Sequence, residues 1–469
     1  MDESGAAGQY RFAHALIRDS VLAGMTSTRR ALLHRRMAEV LEKLPPAQQE
    51  RRMPELARHL LDARPLVDAS RSASFALRAA EQAMRGLAYE DAAELLERVV
   101  AGGLDVTDRL WAEVLLALGD ARVRAGDAPS AERWFADAAE AARALGEPEL
   151  LARAALGSAG MSVSVGPVRE AVREGLEEAL RAVGPDSALR PRLLARLAIE
   201  LYYASPATLR EQVSEQALEA GRHSGGRAFL EALGARHVAL WSPDHTEERL
   251  AIAEELVAAA TASGDREAEL QGINWRVADL FELGDLTGMR ASIAEHERLA
   301  AELRLPAYSW YGPLWRAALA LLAGRLDEAK HLSDEGESIG IAAHDENAAL
   351  LFETQRNAIN AAMGRVSPAD TASMRWRAEH SPASGAWGAA LGMRSLAEGD
   401  PDGARLQLER GVAGLSTASL DAQWLYMTSV LGTLAARLGD ASAAAEVYPR
   451  LAPYGHRIVM VARGSYCTG

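Results

Sequence analysis

The sequence predicts an all-α fold in which helical hairpins stack into an α-solenoid, a right-handed superhelix of about ten units. Residues 274–286 and 314–326 share one register, forty residues apart, in which a Trp-Arg pair is followed by a glycine eight positions after the arginine. Self-similarity at a period of this size is typical of solenoids. Alanine, leucine, glutamate and arginine dominate while aromatic residues make up only 5%, which favours helices over strands.

The turns between paired helices can be followed along the chain at a constant spacing. Consecutive turns lie 39 or 40 residues apart, except for 35 between Gly364 and Gly399. The predicted turns are Leu87, Gly126, Gly166, Ser205, Asp244, Gly284, Gly324, Gly364, Gly399 and Gly439. Ser205 and Asp244 are placed by spacing and by the prolines beside them.

Small residues recur inside the predicted hairpins at the offsets of the tetratricopeptide repeat. Counted from Gly119, Gly126, Ala131, Phe135 and Ala138 lie at offsets of 7, 12, 16 and 19. The same pattern gives two further sets, Gly392–Gly399–Ala404–Leu408–Gly411 and Gly432–Gly439–Ala444–Tyr448–Leu451. Small side chains let helices approach while the aromatic or leucine residue fills the gap. Units of about 40 residues are longer than the standard repeat of 34.

Residues 1–62 are predicted to be a separate helical segment, followed by the repeat array at 63–469. Helical spacing begins near Tyr10, and a second helix can be capped by Thr26, Ser27 or Thr28. Its predicted apolar face is Leu32, Leu33, Met37, Val40, Leu41 and Leu44. Pro45-Pro46 should stop that helix, and a third should run from about Pro54 to Leu61.

The C-terminal residues do not resemble the polar outer face of a capping repeat. Residues 458–462 are an uninterrupted apolar run, followed by Gly464-Ser465-Tyr466-Cys467-Thr468-Gly469. A terminal repeat normally needs a polar outer face. The sequence therefore predicts that the chain is cut from a longer protein.

Composition and charge exclude several functions. The net charge is −14, although residues 1–60 carry ten basic and seven acidic side chains, which argues against nucleic-acid binding. Lys43 and Lys330 are the only lysines, and neither stands in the Gly-Lys-Ser/Thr context of a phosphate-binding loop. A single cysteine, no apolar run long enough to cross a membrane and no signal peptide predict a cytoplasmic location.

Five arginines repeat every forty residues on the first helices of their hairpins: Arg196, Arg236, Arg276, Arg316 and Arg356. First helices line the concave face of such a superhelix, so the arginines could bind an anionic ligand or an acidic peptide there. The alternative is that each pairs with a nearby carboxylate, which the acidic composition favours. The candidate carboxylates are Glu200, Asp279, Glu282 and Glu353.

Aromatic residues share the register of these arginines. Trp275 and Trp315 are forty residues apart, and Trp310 and Tyr311 lie just before Trp315. An aromatic cluster in a groove could anchor a peptide or a small effector. The alternative, which is favoured, is that the tryptophans fill the wedge between neighbouring hairpins.

No arrangement of residues predicts catalysis, a metal site or a cofactor. The histidines lack a metal-binding motif, and His34, His59, His223 and His237 are expected at the surface or partly buried. Ser224 lacks the spacing of a nucleophile elbow. Residues 344–347 predict a turn with a helix cap. The basic helix at 29–36 could touch phosphate, but a solvated face or docking to an acidic neighbour is favoured.

Several segments resemble large bacterial signal-transduction ATPases with tetratricopeptide-like arrays. Residues 10–19, Tyr-Arg-Phe-Ala-His-Ala-Leu-Ile-Arg-Asp, are similar to a segment that ends the winged helix of that family, and residues 35–41, 54–60 and 88–95 continue the match. Residues 315–329 resemble its repeats. The family includes large ATP-binding LuxR-type transcription regulators and cyclase-linked relatives.

The resemblance implies a non-catalytic sensor and scaffold array. A full-length protein would then add an ATPase core and an output domain, and the array would bind an effector or protein partner in its concave groove. The alternative is a free-standing tetratricopeptide adaptor that binds peptides in that groove.

Overall fold

The computed structural model describes residues 2–3, 10–11, 20, 23–103, 109–160, 169–202, 207–343, 345–365 and 367–468. The chain is an α-solenoid built from stacked helical hairpins, as predicted. It divides into two compact units, Met1–Gly160 and Met161–Gly469. The domain boundary predicted after residue 62 falls within the first unit and stays a prediction.

The residues described in the first unit form helices, with one short strand pair before them. Strands β1 (Asp2–Glu3) and β2 (Tyr10–Arg11) pair antiparallel. The helices are α1 (Ser27–Glu42), α2 (Pro46–Arg51), α3 (Met53–Asp62), α4 (Ala69–Arg85), α5 (Tyr89–Ala101), α6 (Arg109–Arg124), α7 (Ala128–Leu145) and α8 (Pro148–Ala159).

The N-terminal predictions are correct in part. Thr26 caps α1 by accepting from the Arg29 amide at 3.3 Å, and α1 stops before Pro45-Pro46. The prediction of a helix at Tyr10–Arg11 is wrong, because the backbone there pairs with β1. Residues 12–19 and 21–22 of the helix predicted at 10–25 lie outside the described residues.

The predicted apolar face of α1 is wrong for most of its residues. Residues Leu32, Leu33, Met37 and Val40 are exposed. Helix α1 packs on α3 through the narrower face of Ala38 and Leu41, which meets Leu56 and Leu60. The predicted set covers a wider arc than this one contact can bury.

The second unit is also built from helical hairpins. Its helices are α9 (Glu170–Ala182), α10 (Arg190–Glu200), α11 (Ala207–Ser224), α12 (Gly226–Ala239), α13 (Thr246–Ser263), α14 (Arg266–Leu283), α15 (Leu286–Leu303), α16 (Pro306–Ser309), α17 (Tyr311–Leu322), α18 (Leu326–Ala342), α19 (Glu346–Ala362), α20 (Pro368–His380), α21 (Ser384–Ala397), α22 (Pro401–Gly414), α23 (Trp424–Leu438) and α24 (Ala441–Leu451). Strands β3 (Met460–Val461) and β4 (Tyr466–Cys467) pair antiparallel after them.

The predicted turns separate the paired helices wherever the structure describes them. Leu87 has a φ of 60°, and the predicted glycines at 126, 284, 324, 364, 399 and 439 have φ between 69° and 84°. Asp244 lies in the short 3₁₀ helix Pro243–His245. The turns predicted at Gly166 and Ser205 lie outside the described residues.

A Gly-Asp pair explains why several hairpins turn so sharply. At Gly284 the chain leaves α14 in the left-handed region, which glycine adopts without a Cβ penalty. Asp285 then caps α15 by accepting from the Gly288 amide at 2.9 Å. Asp345 caps α19 in the same way, as predicted for residues 344–347, although His344 itself lies outside the described residues.

Small residues sit where the repeat pattern predicts close helix contacts. A Cβ on Gly119 would lie 2.6 Å from the ring of Phe135, and one on Gly157 would lie 2.2 Å from it. Ala404 and Leu408 are buried in the same manner. Tyr448 is an exception, because α24 buries Ala443 and Val447, whereas Tyr448 is 73% exposed.

Within the described residues, no helix is both long and apolar enough to span a membrane.

Candidate functional site

Aromatic side chains from successive hairpins of the second unit form one continuous cluster. The Trp241 and Trp275 rings meet edge to face at 5.3 Å, and the Tyr311 and Trp315 rings lie 5.2 Å apart. Trp275, Trp315 and Tyr311, three of the residues predicted to line a ligand groove, are all buried. We define the aromatic groove as Trp241, Trp275, Tyr311, Trp315 and Gln355.

The last residues of the chain lie across this groove. We define the C-terminal segment as residues 457–468. Its Ile458 amide donates to the carbonyl of Glu282 at 2.9 Å. Trp315 Nε1 donates to the carbonyl of Arg463 at 3.0 Å, and Gln355 Nε2 donates to that of Ser465 at 2.5 Å. Groove side chains therefore hold the segment by its backbone.

The side chain of Arg463 enters the aromatic groove. Its Nη1 donates to Tyr311 Oη at 2.9 Å. Its Cζ lies 5.7 Å from the ring centre of Trp275 and 6.0 Å from that of Trp241. A guanidinium over indole rings gains about 2 kcal/mol when it is desolvated, and Arg463 is only 9% exposed.

The segment folds back on itself as a small hairpin with its tip in the groove. Met460 pairs with Cys467 and Val461 with Tyr466. At the tip, Ala462, Arg463 and Gly464 have φ of 42°, 56° and 85°. The Cα of Gly464 lies so close to the groove that a Cβ would be 3.2 Å from Trp315 Cδ1.

Polar contacts fix the base of the segment to α13 and the turn before it. Arg457 Nη2 donates to Glu247 at 2.6 Å and 2.5 Å, and this hydrogen bond lowers the pKa of Glu247. Just before the segment, Tyr454 Oη bonds to Asp244. Burial and that carboxylate raise the pKa of Tyr454 to about 12. In the apolar run at 458–462, Met460 and Val461 are buried. That the chain is cut from a longer protein stays a prediction.

A buried charge network on α12, α13 and α14 lies beside the groove, with the rings of His237 and Trp275 4.7 Å apart. His237 Nε2 and Asp279 Oδ2 are 2.7 Å apart, and Arg249 Nη2 lies 2.7 Å from Glu282 Oε2 and 3.4 Å from Asp279 Oδ1. Burial lowers the pKa of His237, against the opposing effect of Asp279. The expectation of a surface or partly buried His237 is wrong, since it is fully buried. His34 and His59 are partly buried and His223 is exposed.

All five repeating arginines lie beside carboxylates. The nearest pairs are Arg196–Glu200 at 2.6 Å, Arg236–Glu215 at 3.4 Å, Arg276–Glu295, Arg316–Glu297 at 3.0 Å and Arg356–Glu337 at 2.5 Å. Except for Arg196, each reaches a second helix of its own or the preceding hairpin. The arginines thus point toward the second helices, whereas Trp275 and Trp315 point toward the C-terminal segment.

We call the five repeating arginines the arginine ladder. Of the carboxylates predicted to pair with them, only Glu200 does so in the ion pairs described. Asp279 and Glu282 join the buried network with Arg249. Glu353 pairs with Arg377. A forty-residue period shows which arginines are equivalent, but it carries no information on which carboxylate each one meets.

Sequence reasoning did not find Trp241, Gln355 or the C-terminal segment as parts of this site. Trp241 lies 34 residues before Trp275 and so falls off the period. The segment touches residues more than a hundred positions earlier in the chain. The apolar run at 458–462 was the only signal in the sequence, since such a run has to be buried somewhere.

A separate cavity of about 630 Å³ lies between α20, α21, α22 and the chain before α23. Its polar lining includes Arg210, Arg375, Gln407, Arg410 and Asp421. Burial raises the pKa of Asp421. Within the described ranges, no group of three or more His, Cys, Asp and Glu residues could hold a metal ion.

No protein-family model matches the chain, and no curated protein sequence matches it. Several solved structures are similar. The Cut9–Hcn1 hetero-tetramer of the APC/C is 11% identical with a TM-score of 0.51, over 94% of this chain and 86% of that one. A Rap protein complexed with competence and sporulation factor is 13% identical with a TM-score of 0.46, over 82% and 98%.

A third similar structure is a signal-transduction ATPase with numerous domains that carries a tetratricopeptide repeat sensor, from Pyrococcus horikoshii. It is 15% identical with a TM-score of 0.38, over 67% of this chain and 52% of that one. At such identities the similarity concerns the fold alone. Function has to be argued from the site.

Proposed function

We propose that the chain is the non-catalytic sensor and scaffold array of a multidomain regulatory ATPase. In this proposal it binds an effector or a protein partner and thereby controls a transcriptional or signalling output. The observation that carries the binding role is the aromatic groove, which already holds a folded-back segment of polypeptide. Trp315 and Gln355 both donate to backbone carbonyls of that polypeptide, and backbone bonds of this kind fit many peptide sequences.

The regulatory half of the proposal rests on the resemblance of residues 10–19 and 315–329 to the signal-transduction ATPases. An ATPase core and a LuxR-type or cyclase output would then belong to the full-length cytoplasmic protein. The array itself would bind neither membrane nor nucleic acid, because its net charge is strongly negative. Binding in the groove would bias the state of the ATPase, which requires a different affinity for its two states.

The groove contacts in this proposal centre on Trp275, Tyr311 and Trp315. The arginine ladder can take part only if an anionic ligand replaces the present carboxylate partners. A small anionic effector has another candidate place in the 630 Å³ cavity, where Arg375 and Arg410 have no ion pair among the described residues.

Peptide-display selection on the immobilised full chain tests the binding role. We expect enriched peptides to bind the wild-type chain and to lose at least tenfold in affinity for the W315F/Q355L variant, because both backbone donors are gone. Replacing the exposed Trp376 by Phe is the matched control and should change nothing. Enrichment that is equal on the double variant would exclude the groove as the binding site.

The free-standing adaptor remains the second candidate, since the same groove would serve it. The nucleotide sequence flanking the reading frame separates the two. An upstream, in-frame Gly-x-x-x-x-Gly-Lys-Ser/Thr supports the regulatory ATPase. A stop codon directly before Met1, with no such motif in frame, supports the adaptor.

A further inference from the structure

The C-terminal segment does not extend the solenoid as another hairpin. After α24 the chain leaves the repeat pattern, and its hydrogen bonds run to α13, α14, α17 and α19, helices of the fifth to the eighth hairpins. Tyr466 also bonds to Tyr426 on α23 at 3.1 Å. The groove residues donate to it through side chains, the way a protein holds a bound peptide. The segment therefore occupies the position of a ligand while being part of the chain.

Arginine is the residue that this groove selects. The guanidinium of Arg463 donates a hydrogen bond to Tyr311 Oη. It also lies over the indole rings of Trp241 and Trp275. Arginine stacks on aromatic faces and is more weakly hydrated than lysine, so it loses less on entering such a site. The following residue has to be glycine, because its φ is 85° and Trp315 lies against it.

The tip of the segment is held in a conformation that costs free energy. Ala462 and Arg463 are not glycine, yet both lie in the left-handed region. A residue other than glycine in this region costs free energy and persists only where its surroundings impose it. Release of the tip recovers that energy, which lowers the net cost of emptying the groove.

We propose that the aromatic groove is a site for a partner's peptide with an Arg-Gly turn, and that residues 457–468 are an internal copy of this ligand that the partner displaces. The inference rests on the proposed peptide-binding function and specifies its ligand. A tethered segment competes at an effective concentration in the millimolar range. The partner consequently binds only when its own contacts exceed those of the segment.

The single cysteine of the chain lies in the segment and reports on its release. Cys467 is partly buried and packs against the core of the second unit. Its rate of alkylation by N-ethylmaleimide in the full chain therefore measures the open fraction. The probe ligand is a blocked synthetic peptide with the sequence of residues 457–468 and the replacement C467S. Because its contacts equal those of the segment, the peptide has to be added above the millimolar effective concentration of the tethered segment. At such concentrations it should accelerate alkylation of the wild-type chain, because it keeps the segment out of the groove.

Two variants of the full chain sharpen the test. R463A removes the guanidinium that lies between the aromatic rings, so we expect Cys467 to react at least tenfold faster than in the wild-type chain. A fluorescently labelled form of the synthetic peptide should bind R463A at least tenfold more tightly than it binds the wild-type chain. G464V, which places a side chain against Trp315, should do the same by another route. Arg437→Ala, on α23 and outside the groove, is the control. Far-UV circular dichroism shows whether each variant keeps its helices.

A peptide in which Ala replaces the residue equivalent to Arg463 should bind neither variant, and Lys in its place should bind more weakly than Arg. The proposal is overturned if the peptide neither accelerates alkylation of wild type nor binds R463A or G464V. If display selection then still enriches unrelated peptides that depend on Trp315, the proposed function stands and only the internal-ligand inference fails. If selection also fails, both are wrong.

Discussion

His296 is a neutral imidazole enclosed by aromatic rings, and it should make the stability of the protein depend on pH. It is fully buried, with the ring of Trp315 at 5.0 Å and that of Tyr311 at 6.0 Å. Neither of its nitrogens has a hydrogen-bond partner in the described part of the chain. Burial lowers the pKa of His296 from 6.5 to about 3, so protons bind the unfolded chain more readily.

The direction in which the stability of the protein changes with pH follows from that lowered pKa. The contribution of His296 is fully present above pH 6.5 and is lost as the pH falls from 6.5 toward 3. Between pH 7 and pH 5 this amounts to about 2 kcal/mol in the free energy of unfolding. We predict that H296L removes this part of the pH dependence in urea unfolding at the two pH values. The H223L variant, at an exposed histidine, should keep the wild-type slope, and an unchanged slope in H296L would contradict the prediction.

At the scale of helices, glycine placement decides how closely neighbours can pack. Gly119 on α6 and Gly157 on α8 both face the ring of Phe135 on α7. A methyl group on Gly157 would lie 2.2 Å from that ring. We predict that G157A destabilises the chain by about 1–3 kcal/mol, the usual cost of overpacking, measured by urea denaturation.

Gly175 on α9 offers the matched control. It is also a mid-helix glycine, but a Cβ added there would meet no neighbouring atom within 4 Å. G175A should therefore stabilise by about 0.5–1 kcal/mol, since alanine loses less backbone entropy. Equal effects of the two substitutions would show that helix propensity, and not contact with Phe135, determines the result.

The arginine ladder joins neighbouring helices through ion pairs. Arg276, Arg316 and Arg356 join first to second helices through their ion pairs. Partly exposed pairs contribute about 0.2–1 kcal/mol each. We predict that the triple Gln variant lowers the melting temperature by a few degrees and keeps peptide binding. Loss of binding at an unchanged melting temperature would instead assign the arginines to the ligand.

The turns and hairpins could be predicted because they are local. A glycine at Gly284 and a cap at Asp285 determine one turn without reference to the rest of the chain. The same reasoning singled out Trp275 and Trp315 as equivalent residues of neighbouring hairpins, but it could not show which segment covers them. The occupant is Arg463, 148 residues after Trp315. Periodicity also could not show that Val40 on α1 is exposed, because the exposed face depends on which helices pack against α1.

At the scale of the second unit, contacts between distant hairpins change how the solenoid should unfold. A simple repeat array has contacts only between neighbours, so it can unfold in parts. Here Ala422 donates to Tyr202 Oη at 2.8 Å, and Arg457 pairs with Glu247, each across 210 residues or more. Such contacts link the fourth and fifth hairpins to the last two, and they should make residues 161–469 unfold as one cooperative body.

The Arg457–Glu247 pair offers a direct test of whether contacts between distant hairpins make this unit unfold cooperatively. Arg457 has a side chain that is 6% exposed, whereas that of Glu247 is 65% exposed. R457E should therefore destabilise more than E247R, because it buries a carboxylate beside another carboxylate. The charge-swapped double variant should regain part of the loss, giving a coupling energy of about 0.5–3 kcal/mol in a double-mutant cycle. In R457E we also expect the denaturation of this unit to broaden or split, as followed by circular dichroism and tryptophan fluorescence together. A single sharp transition in R457E, with additive energies in the cycle, would mean that the hairpins cooperate through neighbour contacts alone.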